Sequence, residues 1–207
     1  IPIEDWHEGD VVITNDPYSG GQHLPDILTF RPVFVDSQRI AIAGILVHHL
    51  DVGGGAAGSY YAEATEIFQE GLCIPPLKIV EGGKRNEAVV KMLLANSRQP
   101  ENVGGDFASQ LAALETGARS LEKIGQRYGA DQLADACQRI QAGSEAQTRA
   151  IFAEIPNGTW EFEDFVDDDG IETDRCLRIH ARLTVQDDSI EIDLSGSSDQ
   201  AKGPVNC

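Results

Sequence analysis

The chain has 207 residues and a formal net charge of −18, from 34 acidic and 16 basic side chains. This length allows one or two domains with a sizeable buried core. The acidic balance and the lack of a basic stripe argue against nucleic acid and anionic membranes as partners, and no apolar run approaches the ~20 residues that span a bilayer.

Four cysteines lie at positions 73, 137, 176 and 207, and none belongs to a C-x-x-C pair. Their wide spacing fits neither a zinc knuckle nor a dense disulfide framework. The sequence therefore predicts free thiols in a cytoplasmic protein.

The first predicted strand, residues 10–14, leads into the turn-forming sequence NDPY at 15–18. Asp16 is expected to close an Asx turn there, because short Asp side chains bond to nearby backbone amides. A glycine-containing loop follows and carries His23, three residues before Asp26.

Residues 27–35 and 40–47 are rich in β-branched and aromatic side chains and predict a β-hairpin with a four-residue connection at 36–39. Pairing Val35 with Ile40 places Asp26 opposite His49. A bulge near Pro32, which cannot donate to a ladder, would shift the pairing and select His48 instead. Spacing alone leaves both alternatives open.

Two imidazoles and a carboxylate at one end of a sheet form a plausible divalent metal site, since neutral imidazole suits zinc or manganese. His23, Asp26 and either His48 or His49 would supply the ligands. The alternative is that the paired histidines merely end a strand and bond to nearby loops.

The loop at 53–59 matches G-x-G-x-x-G and follows a strand, as dinucleotide-binding loops do. The surrounding hairpin and the unclear start of a helix argue against that interpretation, and no Lys completes a phosphate loop. A close-packed glycine loop beside the metal site is favoured.

Residues 62–70 predict a short helix, with Glu66 among three glutamates on one side. Helical periodicity follows at 86–97, and apolar stripes predict two long helices over 107–124 and 133–151 that pack as an antiparallel hairpin. Strict alternation at 177–185 and again at 190–194 predicts a second β-hairpin.

Five segments together resemble the hydantoinase B/oxoprolinase family: GDVVITNDPYSGGQHLPDI, HHLDVGG, EATEIFQEGLCIPPLKI, KMLLANSRQP and DLSGSSDQAKGPVN. The resemblance runs from about residue 9 to residue 206. Beside that family the chain looks like an excised segment of a longer protein, with an upstream acidic metal ligand missing.

The resemblance implies that His23, Asp26 and His48 bind zinc or manganese. It also implies a partner, an A-type subunit or fused domain that binds ATP with magnesium, in a hetero-oligomer. Glu66, His49 and Asp16 are the candidate catalytic residues beside the metal.

The function implied is metal-assisted ring opening of a phosphorylated cyclic amide, a hydantoin or 5-oxoproline. ATP-dependent carboxylation of a ketone such as acetone or acetophenone is the close alternative. A third hypothesis, from a different functional class, is a non-catalytic module that serves only in assembly with partner proteins.

The predicted fold class is α+β, with antiparallel hairpins and sheets and an inserted helical hairpin. Three regions are expected: a β-rich metal-site region at 1–83, a helical hairpin at 84–156 and a β-hairpin region at 157–207.

Overall fold

The computed structural model describes residues 1–206, and Cys207 lies outside the described residues. The chain divides into two compact units, Ile1–Ala134 and Asp135–Cys207. The three regions predicted from the sequence stay a prediction. No helix within the described residues is both long and apolar enough to cross a membrane.

The first unit contains a five-stranded antiparallel sheet in the order β3-β2-β1-β4-β5. Its strands are β1 (Val11–Thr14), β2 (Asp26–Val35), β3 (Gln38–His48), β4 (Leu77–Glu81) and β5 (Lys84–Arg85). Short 3-10 turns occupy Ile3–Asp5, Pro17–Ser19, Ala57–Ser59 and Ile67–Gln69.

Two helices accompany this sheet, α1 (Glu87–Ala95) and α2 (Pro100–Tyr128). Asn86 caps α1 by accepting a hydrogen bond from the Val89 amide at 3.3 Å, as short polar N-cap side chains do. The apolar stripe of α2 packs on β2 and β3. The core joins this stripe to the facing side of the sheet through Val11, Ile13, Ile27, Ile79, Val103, Phe107 and Leu114.

The third helix, α3 (Ala130–Phe152), follows Gly129 and enters the second unit. The helices predicted from the apolar stripes are therefore confirmed. Their antiparallel packing stays a prediction.

The second unit also contains a three-stranded antiparallel sheet of β6 (Gly158–Val166), β7 (Leu177–Gln186) and β8 (Ser189–Asp193). β7 and β8 form the predicted second hairpin, in which Arg182 lies opposite Asp193. Asp169, in the acidic turn between β6 and β7, is buried and accepts hydrogen bonds from four backbone amides. Antiparallel sheets with helices confirm the predicted α+β class.

Cys73, Cys137 and Cys176 carry free thiols, as predicted. Cys73 is half-buried against the core of the first unit, and this burial raises the pKa of its thiol. The predicted helix at 62–70 is wrong, because only Ile67–Gln69 forms a 3-10 turn.

Candidate metal centre

Three side chains with metal-binding atoms meet where β2 begins and β3 ends. Asp26, the first residue of β2, pairs directly with His48, the last residue of β3. His23 lies in the preceding turn, and the Asp26 amide donates to its carbonyl at 3.0 Å. One ligand atom from each side chain lies within 4.8 Å of the other two.

These side chains are held close together, but their hydrogen-bonding capacity is largely unused. His23 Nδ1 lies 3.2 Å from Asp26 Oδ2, and the His23 and His48 rings meet edge to face at 5.0 Å. His23 Nδ1 is buried and has no hydrogen-bond partner. Asp26 is only 6% exposed, and its carboxylate has one recorded side-chain contact among residues 1–206, with His23 Nδ1. A buried polar group without a hydrogen-bond partner costs free energy unless water, an ion or a ligand satisfies it.

The strand register decides which of the two adjacent histidines faces Asp26. The connection between the strands has two residues, Asp36 and Ser37, both with positive φ, so the four-residue connection predicted from the sequence is wrong. Such residues suit the tight turns that match strand twist. A bulge then inserts Ile40 opposite the step from Val33 to Phe34. The resulting pairing places His48, not His49, opposite Asp26. This agrees with the alternative in which a bulge shifts the strand pairing by one residue.

His49 points away from this cluster into the core. It is fully buried, and its ring lies 4.4 Å from that of Phe107. Gln110 donates to the Ile27 carbonyl at 2.7 Å, which leaves its amide oxygen to accept from His49 Nε2 at 2.9 Å. Burial lowers the pKa of His49, so the neutral ring serves to join α2 to the sheet.

The other two candidate catalytic residues are also outside the cluster. Asp16 caps the 3-10 turn that follows it, accepting from the Tyr18 amide at 3.0 Å and the Ser19 hydroxyl at 2.6 Å. This is the local turn chemistry that its sequence predicts. Glu66 is exposed at the start of the 3-10 turn Ile67–Gln69 and makes no capping hydrogen bond there.

Asn15 fixes the loop that carries His23. Its amide is fully buried and donates to the carbonyls of Leu24 and Leu72, each at 2.8 Å, while its oxygen accepts from the Ile74 amide at 2.7 Å. Because all three bonds connect separate backbone segments, Asn15 holds the loop against the sheet.

Asp51 organises the glycine loop that follows β3. Its buried carboxylate accepts from the amides of Gly53 at 3.0 Å and Gly58 at 2.9 Å, and from the Arg98 amide and guanidinium. Burial raises the pKa of Asp51, but these donors outweigh it and lower the pKa overall. The amides that a bound phosphate would need are thus used within the protein. Gly54, at φ +84°, has no room for a side chain, since a Cβ would lie 2.6 Å from the Gln69 carbonyl oxygen.

The end of this loop places Tyr60 beside the cluster. Its ring stacks on His48 with centroids 6.2 Å apart, and its hydroxyl lies 3.5 Å from His48 Nε2. An open groove of about 800 Å³ begins at these two residues and is bounded on its far side by the first turns of α2.

Sequence reasoning missed Tyr60, Gln110 and Arg98. Gln110 could have been found as a polar residue on the apolar stripe of a predicted helix, since polar groups on such a face bond to something buried. Arg98 lies in one of the segments that carry the family resemblance. Tyr60 gives no sequence signal, because a tyrosine after a glycine loop has no single meaning.

Together, the fold and the cluster define an α+β chain whose sheet ends in a His-Asp-His centre beside an open groove. The Hydantoinase B/oxoprolinase family matches residues 2–207, and the chain belongs to that family.

Similar proteins include the beta subunit of caprolactamase from Pseudomonas jessenii, 31% identical over 89% of this chain and 32% of the relative. 5-oxoprolinase 1 from Arabidopsis thaliana is 30% identical over 98% of this chain and 18% of the relative. The chain thus spans a third or less of the length of these relatives.

Among solved structures, the ATP-dependent caprolactamase from Pseudomonas jessenii matches with a TM-score of 0.92 and 30% identity, over 98% of this chain and 35% of that one. Nucleotide-free acetone carboxylase matches with a TM-score of 0.80 over 94% of this chain and 27% of that one. At 20% sequence identity, this similarity concerns the fold alone.

Proposed function

We propose that this chain is the metal-holding part of a B-type subunit that opens cyclic amides in an ATP-dependent reaction. The observation that carries the proposal is the convergence of His23, Asp26 and His48, in which the buried Nδ1 of His23 forms no hydrogen bond and lies 3.2 Å from the Asp26 carboxylate. The similarity to an ATP-dependent caprolactamase supports the reaction class.

The three residues fit a divalent cation. Two ligands of one ion, each about 2.1 Å from it, lie roughly 3–4 Å apart, and the three atoms here already lie within 4.8 Å of one another. Two imidazole nitrogens and one carboxylate oxygen suit zinc or manganese. A bound cation would also relieve the cost of burying the Asp26 charge without donors.

A divalent ion at this position would act as a Lewis acid toward oxygen atoms of the substrate. The protein residues around it would orient the substrate. Asp26 and its pairing with His48 fix the ligand geometry through the strand register, and Tyr60 presents a hydroxyl that can donate a hydrogen bond at the mouth of the groove.

ATP chemistry is assigned to a separate A-type subunit or domain, which would phosphorylate the amide oxygen. Where the A-type part is a separate subunit, the two subunits would form a hetero-oligomer. Ketone carboxylation ranks second, because the caprolactamase structure is the closer likeness in both identity and TM-score.

The first test is metal analysis of the purified protein and of His23→Ala, Asp26→Ala and His48→Ala variants. We expect about one zinc or manganese ion per chain in the wild type and loss of that ion in each variant. His7→Ala is the matched control, because His7 has the same spacing to Asp10 but is largely exposed and lies outside the cluster.

The second readout is ATP-dependent hydrolysis of hydantoin, caprolactam or 5-oxoproline in the presence of the A-type subunit. Loss of the ion should reduce kcat/KM by more than about a hundredfold. An assembly module would instead hold no stoichiometric metal, and the substitutions would leave both readouts unchanged.

A further inference from the structure

Arg98 holds the loop that follows β3. It lies between the end of α1 and the start of α2, and its guanidinium donates to the Ala56 carbonyl at 2.9 Å and the Gly54 carbonyl at 2.6 Å. The same group donates to the buried Asp51 carboxylate at 3.3 Å. A planar guanidinium holds several acceptors in one fixed geometry, which a lysine ammonium does not reproduce. Arg98 therefore connects three points of the loop to the segment that joins the two helices.

The end of the same loop is held by its own hydrogen bonds. Ser59 is buried and adopts a positive φ of 58°. Its hydroxyl accepts from the Val52 amide at 2.9 Å and donates to the Gly53 carbonyl at 2.9 Å. Because Tyr60 follows Ser59 directly, the position of the tyrosine depends on the shape of the whole loop.

Tyr60 is placed so that it limits the motion of the His48 ring. His48 is exposed, so its imidazole would turn freely on the solvent side if nothing contacted it there. The stacked Tyr60 ring restricts these rotamers. A ligand that is oriented before binding loses less conformational entropy when it binds an ion. Groups that orient metal-binding histidines typically raise metal affinity by about 10- to 100-fold.

We infer that Arg98 is a positioning residue for the metal centre. By holding the loop in one shape, it keeps Tyr60 against His48 and thereby raises the affinity of the centre for a divalent cation. The inference rests on the proposed function for the presence of an ion at His48. The role of Arg98 depends on the loop contacts alone, so it can fail while the proposed function stands.

The test is the Kd for zinc and for manganese, measured by isothermal titration calorimetry on the complete protein after removal of bound metal with EDTA. The variants are Arg98→Ala, Arg98→Lys, Tyr60→Ala and the double variant Arg98→Ala/Tyr60→Ala. Arg85→Ala is the matched control, because Arg85 is also about half exposed and pairs with one carboxylate, that of Glu87 at 2.6 Å, outside the loop. Circular dichroism checks that each variant is folded.

We expect Arg98→Ala and Arg98→Lys each to raise the Kd about tenfold, since lysine keeps the charge but not the geometry. Tyr60→Ala should raise the Kd by a similar factor. The double variant should bind no more weakly than the weaker single variant, because both substitutions break the same connection. Guanidinium chloride at a non-denaturing concentration should restore binding to Arg98→Ala, whereas sodium chloride at the same concentration should not. Arg85→Ala should bind as the wild type does.

An unchanged Kd in Arg98→Ala or in Tyr60→Ala would overturn the inference, and so would effects of the two that add in the double variant. Tyr60 is 70% exposed, so its removal tests the connection without a risk to folding. A loss of affinity that guanidinium does not restore, or an equal loss in Arg85→Ala, would also contradict a positioning role. A wild type that binds no ion would overturn the proposed function itself, whereas a bound ion with unaffected Arg98 variants contradicts only the role of Arg98.

Discussion

Three His-x-x-Asp sequences occur in the first unit, His7-Asp10, His23-Asp26 and His48-Asp51, and the structure uses the first two in opposite ways. His7-Asp10 and His23-Asp26 each end in a buried aspartate, 1% and 6% exposed. Asp10 accepts from Lys78 Nζ at 2.8 Å, the Gly82 amide at 2.8 Å and the His7 amide at 2.9 Å.

Asp26 has no such donors among the described residues, and its neighbours are the imidazoles of His23 and His48. Burial alone would raise the pKa of Asp10, but its three donors hold that pKa below the ordinary value. The comparison teaches that a buried carboxylate satisfied by the protein is structural, whereas one left without donors but beside two imidazoles is suited to a cation.

The largest effect expected without bound metal is a difference in the free energy of unfolding between variants of Asp10 and Asp26. In the presence of EDTA, Asp10→Asn should lower the free energy of unfolding by about 2 kcal/mol, because a neutral amide cannot replace the charge-assisted bonds that the buried carboxylate forms with the Gly82 and His7 amides and Lys78 Nζ. Asp26→Asn should change it by no more than about 1 kcal/mol of either sign, since no donor loses a bond. Urea denaturation measures both, and an equal loss in the two variants would invalidate the comparison.

The next effect is on the stabilisation of the fold by bound metal. Here the Asp26 variant should differ from the wild type, and the Asp10 variant should not. Zinc or manganese at about 100 times its Kd should raise the free energy of unfolding of the wild type by about 2.7 kcal/mol. Asp10→Asn should show the same increment and Asp26→Asn none. Thermal unfolding with and without metal gives the increments, and EDTA should abolish them. A metal-dependent increment in Asp26→Asn would place the ion elsewhere.

The smallest expected effect concerns Asp169, a buried aspartate in the second unit. It tests whether a buried carboxylate that protein donors satisfy stabilises the fold. Hydrogen bonds from backbone amides lower its pKa from 3.8 to about 2, and the bond from the Glu172 amide has the largest effect. Because the folded pKa lies below the unfolded one, Asp169 stabilises the fold fully above pH 3.8, and this stabilisation is lost as the pH falls towards 2.

Asp169→Asn should therefore be less stable than the wild type near neutral pH, and the difference should shrink as the pH falls from about 4 to 2. Urea midpoints measured across this range give the difference directly. A difference that does not depend on pH would show that the carboxylate charge contributes nothing.

Periodicity and turn chemistry predicted most of the secondary structure. Strict alternation predicted the second hairpin, and in the structure Val185 pairs with Ile190. The first hairpin was harder, because its two-residue turn and the bulge at Ile40 change the pairing by one residue without leaving a clear pattern in the sequence. The helix expected around Glu66 did not form, since local propensity there is overridden by packing of the loop against the glycines.

The sequence by itself determined the periodic strands and helices and the presence of histidines and aspartates at metal-binding spacing. The family resemblance already selected His23, Asp26 and His48, but strand spacing left His48 and His49 as alternatives. Only the tertiary structure showed that His48 pairs with Asp26 and that Asp10, unlike Asp26, is surrounded by protein donors. The physical reason is that the donors deciding the role of each carboxylate come from distant segments. Gly82, which satisfies Asp10, lies 72 residues further along the chain.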